Sequence, residues 1–172
     1  VRERVDTDDI SRRQRIERLA ARINVARSEY DQAIEAARSG VELGDGNTVE
    51  ACQLRAVLAE SYLEKGEFDN AAQTATNQRE LASTLDHTEL EAGALRQLGV
   101  VAMKRGQYDR ARDYYEQSID SFREIGDRAG EAESLDGLGE NAYRRGEYDR
   151  AREYHEQARD TNAEIGNRRG HA

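Results

Sequence analysis

The sequence contains no proline and no tryptophan, and it has a single cysteine and a single methionine among 172 residues. With Cys52 alone, no intramolecular disulfide can form, so we expect a reducing, cytoplasmic setting. Without proline, the strongest breaker of helix interiors is missing. No apolar run approaches the roughly 18–20 residues of a membrane-spanning helix, and there is no signal-peptide pattern. These absences argue against a disulfide-rich secreted domain and a transmembrane protein.

Positive charge is also scarce, and it is almost entirely arginine, since Lys65 and Lys104 are the only lysines. The net charge is −9 and the isoelectric point is about 5.0. Such a field repels nucleic acid and anionic lipid, so we expect neither nucleic acid nor a membrane as a partner. Many carboxylates with few lysines are typical of proteins adapted to high salt. An ordinary acidic, solvated surface is the alternative, and the sequence leaves both open.

Three windows of the sequence recur at a spacing of forty residues, over 58–71, 98–111 and 138–151. Each contains a Leu with a small residue after it, then a Gly, an aromatic residue two positions later, and an Ala three further on. A fixed period of about 20–50 residues is typical of a stacked repeat array. A hydrophobic content of 37% would by itself suggest disorder. In an array it is sufficient, because each unit buries only a narrow apolar stripe against its neighbours.

Helical spacing of the apolar residues predicts eight helices in four antiparallel pairs. The fold class is therefore all-α, an α-α superhelix (solenoid) with an open C-terminal end. We expect a frayed leader over 1–9, repeats at about 10–46, 47–86, 87–126 and 127–166, and the start of a truncated fifth repeat over 167–172. The last of these is expected because Gly166 to Gly170 resembles the turn after Ile125. A chain that begins with Val also indicates a piece of a longer protein.

The first helix and the turns carry more specific predictions. The inward face of the first helix is expected at Ile16, Leu19, Ala20 and Ile23, which follow the i, i+3, i+4, i+7 pattern. Gly66, Gly106 and Gly146 are expected to end the first helix of their pairs in the left-handed conformation. Gly99 and Gly139 are expected where the two helices of a pair approach closely.

The Leu-Gly pair, the turn Gly, the aromatic residue and the Ala resemble the tetratricopeptide repeat over about residues 10–165. The forty-residue period resembles the longer variant of spindle-orientation scaffolds and prokaryotic regulatory arrays. The resemblance implies that the first helix of each pair lines a concave groove. The implied groove residues are Glu60, Leu63, Glu64, Arg96, Val100, Met103, Lys104, Asp136, Glu140, Tyr143 and Arg144.

A groove of this composition would be basic and apolar at its centre, with acidic walls. An extended or helical peptide with apolar anchors and mixed charges would suit it. The alternative is that these residues are simply the solvated faces of surface helices.

Catalytic chemistry finds little support in the sequence. His87, His155 and His171 are far apart, and His155 stands where the preceding repeat has Tyr115, so we expect it to be a packed histidine. No Cys and His spacing suits a metal, and no phosphate-binding glycine loop is present. We therefore predict no enzyme activity and no catalytic, cofactor-binding or metal-binding residues.

The sequence thus favours a non-catalytic scaffold for protein–protein interaction that binds a protein or peptide partner in its groove. One alternative is a self-association module, with a possible homodimer through the open repeat end, where Ala158 and Ile165 are expected to lie uncovered. Another is a sensory segment of a larger ATPase or transcription regulator. The sequence does not identify the partner.

Overall fold

The structure is a computed structural model that describes the backbone of residues 7–44 and 46–170, and the side chains of 8–44 and 46–166. Within this part of the chain there are eight α-helices and no strands, so the predicted all-α class is confirmed. None of the helices found there is long and apolar enough to cross a membrane. The helices are α1 (Thr7–Ala26), α2 (Tyr30–Glu42), α3 (Val49–Glu64), α4 (Phe68–Thr84), α5 (Thr88–Lys104), α6 (Tyr108–Ile125), α7 (Arg128–Arg144) and α8 (Tyr148–Gly170).

The chain divides into two compact units, residues 1–86 and residues 87–172. The first contains α1 to α4 and the second contains α5 to α8. In each unit the two helices of every hairpin pack together, and the second helix of one hairpin packs on the first helix of the next. The two first helices of each unit also touch. Stacked helical hairpins are the predicted architecture, whereas the repeat boundaries themselves stay a prediction.

Three turns between paired helices use the same backbone geometry. Gly66, Gly106 and Gly146 have φ angles of 77°, 73° and 80°, which confirms the left-handed helix ends. The amide that follows the glycine then bonds back into the helix, as from Glu67 N to the Tyr62 carbonyl at 2.8 Å. The first hairpin forms the equivalent bond from Glu29 N to the Asn24 carbonyl at 2.8 Å. This bond aligns α1 with α3 at an offset of 38 residues.

The ends of the chain differ from their predictions. Residues 1–6 of the expected leader lie outside the described residues, and α1 already begins at Thr7. The turn expected after Ile165 does not form, because α8 continues through Gly166 to Gly170. The turn after Ile125 is held by Asp127, which accepts the amides of Ala129 and Gly130 at 3.1 Å and starts α7 against α6. No described helix follows α8 to hold a second turn of this kind.

Tyr115 of α6 fills the centre of the second unit. Its side chain is fully buried in a cluster that includes Leu135 and Leu138. A Cβ at Gly99 of α5 would lie 2.9 Å from Cε1 of this ring, and a Cβ at Gly137 of α7 would lie 2.5 Å from it. Gly99 therefore permits the close approach that was predicted, and Gly137 permits a second one.

The predicted inward face of α1 is wrong. Ile16, Leu19 and Ile23 are 57%, 57% and 52% exposed, whereas Ala21 and Gln14 are buried. The Gln14 amide nitrogen donates to the carbonyls of Gly40 at 3.2 Å and Leu43 at 3.0 Å, so a polar contact joins α1 to α2. The apolar line lies on the opposite side of the helix from Gln14 and Ala21. It is exposed because no described helix precedes α1 to cover it.

The contact between Tyr115 and Gly137 predicts opposite effects for two glycine substitutions. Gly137→Ala should destabilise the protein by about 1–3 kcal/mol, because the methyl group overlaps the ring. Gly93→Ala in α5 should stabilise it by up to about 1 kcal/mol, because no described atom lies within 4 Å of the added Cβ. Urea unfolding followed by circular dichroism measures both changes. Equal effects at the two positions would contradict the packing.

Cys52 of α3 predicts a difference in thiol reactivity between the folded and unfolded chain. Its Sγ donates to the Gln78 carbonyl at 3.5 Å, and burial raises its pKa from the ordinary 9.0 to about 11. The folded state keeps the thiol protonated up to a higher pH than the unfolded state does. The protonated thiol therefore contributes its full share to the free energy of unfolding below pH 9, and this contribution declines as the pH rises towards 11. Iodoacetamide labelling at pH ~8, read by mass spectrometry, should be slow in buffer and fast in urea. Equal rates would show that the thiol is accessible.

Candidate functional site

Eight of the predicted groove residues lie on α5 and α7 of the second unit, and seven of them are at least partly exposed. On α5, Arg96 and Val100 are half-buried and Lys104 is exposed. On α7, Glu140 is half-buried, and the other three residues are exposed. These two helices contact each other directly. We call this surface the α5–α7 face, and its members are Arg96, Val100, Lys104, Asp136, Glu140, Tyr143 and Arg144.

Met103 does not belong to this face, although it was predicted there. It is 6% exposed and packs in the hydrophobic cluster around Tyr115 and Leu138. The residue forty positions later, Tyr143, is 58% exposed and instead stacks edge-on against Tyr148, with ring centroids 5.4 Å apart. The two equivalent positions differ because α7 packs beside α5, whereas no described helix packs beside α7 in the same way.

Charged side chains on and beside the α5–α7 face form ion pairs. Arg96 Nη2 lies 3.0 Å from Glu133 Oε2 and so joins α5 to α7, and Arg144 Nε donates to Glu140 Oε1 at 2.7 Å. Lys104 forms no ion pair with any described residue. Exposed pairs of this kind contribute only about 0–1 kcal/mol. A partner carboxylate can therefore replace an internal one at little cost.

The hydroxyl of Tyr115 lies beneath this face and has no hydrogen-bond partner among the described atoms. Burial raises the pKa of Tyr115 well above its usual value, and Arg96 and Arg144 oppose the rise through their charge while Glu140 adds to it. These charges act on the hydroxyl because α5 and α7 both pack against the ring. The buried Nε of Arg96 likewise has no described partner. A buried polar atom without a partner costs about 1–3 kcal/mol of stability.

The sequence pattern did not indicate that Tyr115 has a buried hydroxyl without a partner. The available signal was the pair of glycines, Gly99 and Gly137, on either side of a tyrosine where a phenylalanine would have filled the same space. Only the packing of three helices shows where the hydroxyl lies.

Asp136 and His155 form a second polar contact in this unit. Nδ1 of His155 lies 3.0 Å from Oδ1 of Asp136, and a Cβ at Gly139 would lie 2.8 Å from the imidazole. The ring therefore packs against α7 at the position of Tyr115, but the side chain of His155 is 47% exposed, so the predicted packed histidine is only partly covered. In the described part of the chain, no three His, Cys, Asp or Glu side chains are arranged to hold a metal ion.

The three remaining predicted residues lie on α3 of the first unit. Glu60 and Glu64 are exposed and Leu63 is half-buried. Their shared position on the surface of α3 agrees with an accessible site. Their membership of a peptide-binding groove stays a prediction.

Residues 90–163 match the model of the tetratricopeptide repeat family. This range begins in α5 and ends in α8, so it covers most of the second unit. No curated protein matches the chain.

Solved structures resemble the chain in fold. Aspartyl phosphate phosphatase F from Bacillus subtilis superposes with a TM-score of 0.80 at 17% identity, over 91% of this chain and 42% of that one. BtubC from P. vanneervenii gives 0.76 at 18% identity, over 89% and 64%. A signal transduction ATPase with numerous domains and a tetratricopeptide repeat sensor, from Pyrococcus horikoshii, gives 0.75 at 21%, over 97% and 26%. At these identities the likeness shows the fold alone, and the chain spans less than two thirds of each protein.

The unpartnered hydroxyl predicts that two Tyr→Phe substitutions differ. Tyr115→Phe should leave the stability unchanged or raise it by up to about 2 kcal/mol, because it removes a buried polar atom and retains the ring. Tyr62→Phe should cost about 0.5–1.5 kcal/mol, because the Tyr62 hydroxyl accepts a hydrogen bond from Arg38. Urea unfolding of both variants tests this. A loss above about 1 kcal/mol in Tyr115→Phe would mean that the hydroxyl has a partner in the free protein.

Proposed function

Residues 90–163 are tetratricopeptide repeats, and from this premise we propose that the chain is a non-catalytic scaffold for protein–protein interaction that binds a peptide segment of its partner on the α5–α7 face. The observation that carries the proposal is the accessible chemistry of this face, where Lys104 is exposed without a described ion-pair partner and lies on the same two packed helices as half-buried Val100 and the exposed ring of Tyr143.

The chemistry of the face defines the peptide that it would take. A carboxylate or backbone carbonyl of the peptide accepts from the half-buried guanidinium of Arg96, whose present partner Glu133 is exposed. A carboxylate pairs with Lys104, which has no described ion-pair partner. An apolar anchor covers Val100 or the exposed ring of Tyr143. The expected ligand is therefore a segment with a carboxylate close to an apolar side chain.

A sensory segment of a larger regulator is a second candidate function. It is supported by the fold likeness to the ATPase with a tetratricopeptide repeat sensor, because that match extends over 97% of this chain. The two functions are compatible, since a sensor of this kind also binds a ligand. A cytoplasmic location stays a prediction.

Charge reversal tests the proposed face. Peptides selected on the native chain from a random display library serve as ligands, and fluorescence anisotropy measures their dissociation constants. Arg96→Glu together with Lys104→Glu should weaken binding at least about tenfold, because two attractions become repulsions. Helicity, followed by circular dichroism, should be unchanged.

The matched control is Arg152→Glu together with Arg159→Glu, which makes the same change of charge at exposed positions of α8. It should bind as the native chain does. If the control loses as much affinity, the effect is long-range repulsion rather than contact with the face. If neither double variant changes the affinity, the α5–α7 face is not the binding site.

A further inference from the structure

The exposed apolar line of α1 is the clearest feature of the first unit that no contact explains. Ile16, Leu19 and Ile23 are spaced so that they lie on one side of the helix, opposite Gln14 and Ala21. All three are more than half exposed. Large apolar side chains aligned on an otherwise charged helix mark an interaction surface rather than scattered exposure.

Alignment within the first unit shows what normally covers this line. The turn bond from Glu29 to Asn24 corresponds to the one from Glu67 to Tyr62, 38 residues later. At this offset, the line corresponds to buried residues of α3, namely Leu54, Val57 and Ser61.

Helix α2 packs on this side of α3. A Cβ on Gly40 of α2 would lie 2.8 Å from the methyl groups of Leu54. The second helix of the preceding hairpin therefore packs on the side of α3 that corresponds to the exposed line of α1.

The second unit repeats the arrangement with other side chains. On α7, the equivalent line contacts α6: the hydroxyl of Ser134 lies 3.0 Å from that of Ser118, and Asn141 Nδ2 donates to the Tyr108 carbonyl at 3.0 Å. Between them, Gly137 receives the ring of Tyr115. In both units this line of a first helix therefore receives a helix, and α1 presents the same line with no described helix on it.

The charge around the line indicates what kind of helix would bind. Helix α1 has five arginines and three carboxylates, in a chain whose net charge is −9. Arg12 continues the line by one turn, and Arg22 lies beside it. Both side chains are exposed and form no ion pair with a described residue. Acidic groups on either side of an incoming apolar stripe would pair with them.

A second copy of the chain fits this surface poorly. Joining α1 to α1 would oppose arginines to arginines. At the other end, the outer face of α8 has exposed Arg159 and Asn162 where α6 has buried Ile119 and Phe122. Ala158, which was expected to lie uncovered, is 1% exposed. The polar α8 face therefore does not offer the apolar side chains that the α1 line would need.

We propose that the line of Ile16, Leu19 and Ile23 binds an amphipathic helix of a partner protein, with apolar residues three and four positions apart and acidic residues on both sides. The helix lies on α1 as α2 lies on α3. This surface belongs to the first unit and is separate from the α5–α7 face. Either surface can therefore be disproved without affecting the other.

The test uses a labelled peptide of about 18 residues with leucines spaced three and four positions apart and glutamates beside them. A lysine version of the same peptide is the first control. In fluorescence anisotropy, the glutamate peptide should bind the full chain at least about tenfold more tightly than the lysine peptide. Leu19→Gln together with Ile23→Gln should remove binding, and Arg12→Gln together with Arg22→Gln should weaken it several-fold at low salt.

Two further controls separate this surface from others. Ile125→Gln, at an exposed apolar position of α6, should leave the affinity unchanged. Because a carboxylate beside an apolar side chain also suits the α5–α7 face, the comparison is repeated in the Arg96→Glu, Lys104→Glu variant, which should still bind the glutamate peptide and should lose this binding when Leu19→Gln and Ile23→Gln are added. All substituted positions are at least partly exposed, so helicity should be retained. Equal binding of the two peptides, or no loss in the Leu19→Gln, Ile23→Gln variant, would overturn the proposal.

A second copy of the chain or a membrane surface on the α1 line would each give a different experimental result. Sedimentation equilibrium of the native chain should show a monomer, whereas a dimer that Leu19→Gln dissociates would assign the line to a second copy. Phosphatidylglycerol vesicles should not bind the native chain, whereas binding that Leu19→Gln removes would assign the line to a membrane surface. Either result would overturn the proposal.

Discussion

The contact between the second helix of one hairpin and the first helix of the next is the constraint on which each unit depends. Only 37% of the residues in the chain are hydrophobic, and a single helix cannot bury its own apolar side. Each first helix therefore needs neighbouring helices on two sides. In the first unit the contact places Leu54 of α3 against Gly40 of α2. In the second it places Tyr115 of α6 against Gly137 of α7. The large residue of the contact lies on the first helix of a hairpin in one unit and on the second helix of a hairpin in the other.

The same close packing creates the candidate binding surface. Because Gly99 and Gly137 both accommodate the Tyr115 ring, α5 and α7 meet directly above it. The ring stabilises the core, and its hydroxyl is left without a partner beneath charged side chains. A core residue and a surface of exchangeable ion pairs are thus parts of one arrangement.

The first helix shows what the constraint implies on a side where no described helix packs. In α3 and α7, the side that meets the preceding second helix is buried, whether it has apolar or polar residues. In α1, the same side has Ile16, Leu19 and Ile23, and it is exposed. The inner side of α1 instead depends on Ala21 and on the hydrogen bonds of Gln14. The most apolar side of this helix is therefore the one that its own unit does not use.

Several features follow from the order of residues alone, because they depend on short-range geometry. The helix ends at Gly66, Gly106 and Gly146 need a left-handed residue, and glycine supplies it at low cost in any surroundings. The helical hairpins and the small residue at Gly99 follow from spacing in the same way. Most of the α5–α7 face could also be predicted, because residues forty positions apart occupy equivalent sides of their helices.

Other features were decided only by tertiary structure, because the burial of a side chain depends on neighbouring helices that the helical pattern of the sequence does not specify. The pattern of α1 shows an apolar side but not whether a helix covers it. The burial of Met103 and the exposure of Tyr143 differ at equivalent positions because α7 packs beside α5. The unpartnered hydroxyl of Tyr115 likewise results from three helices meeting at one point. Local sequence sets which residues can lie together, and the packing of the helices decides which of them reach solvent.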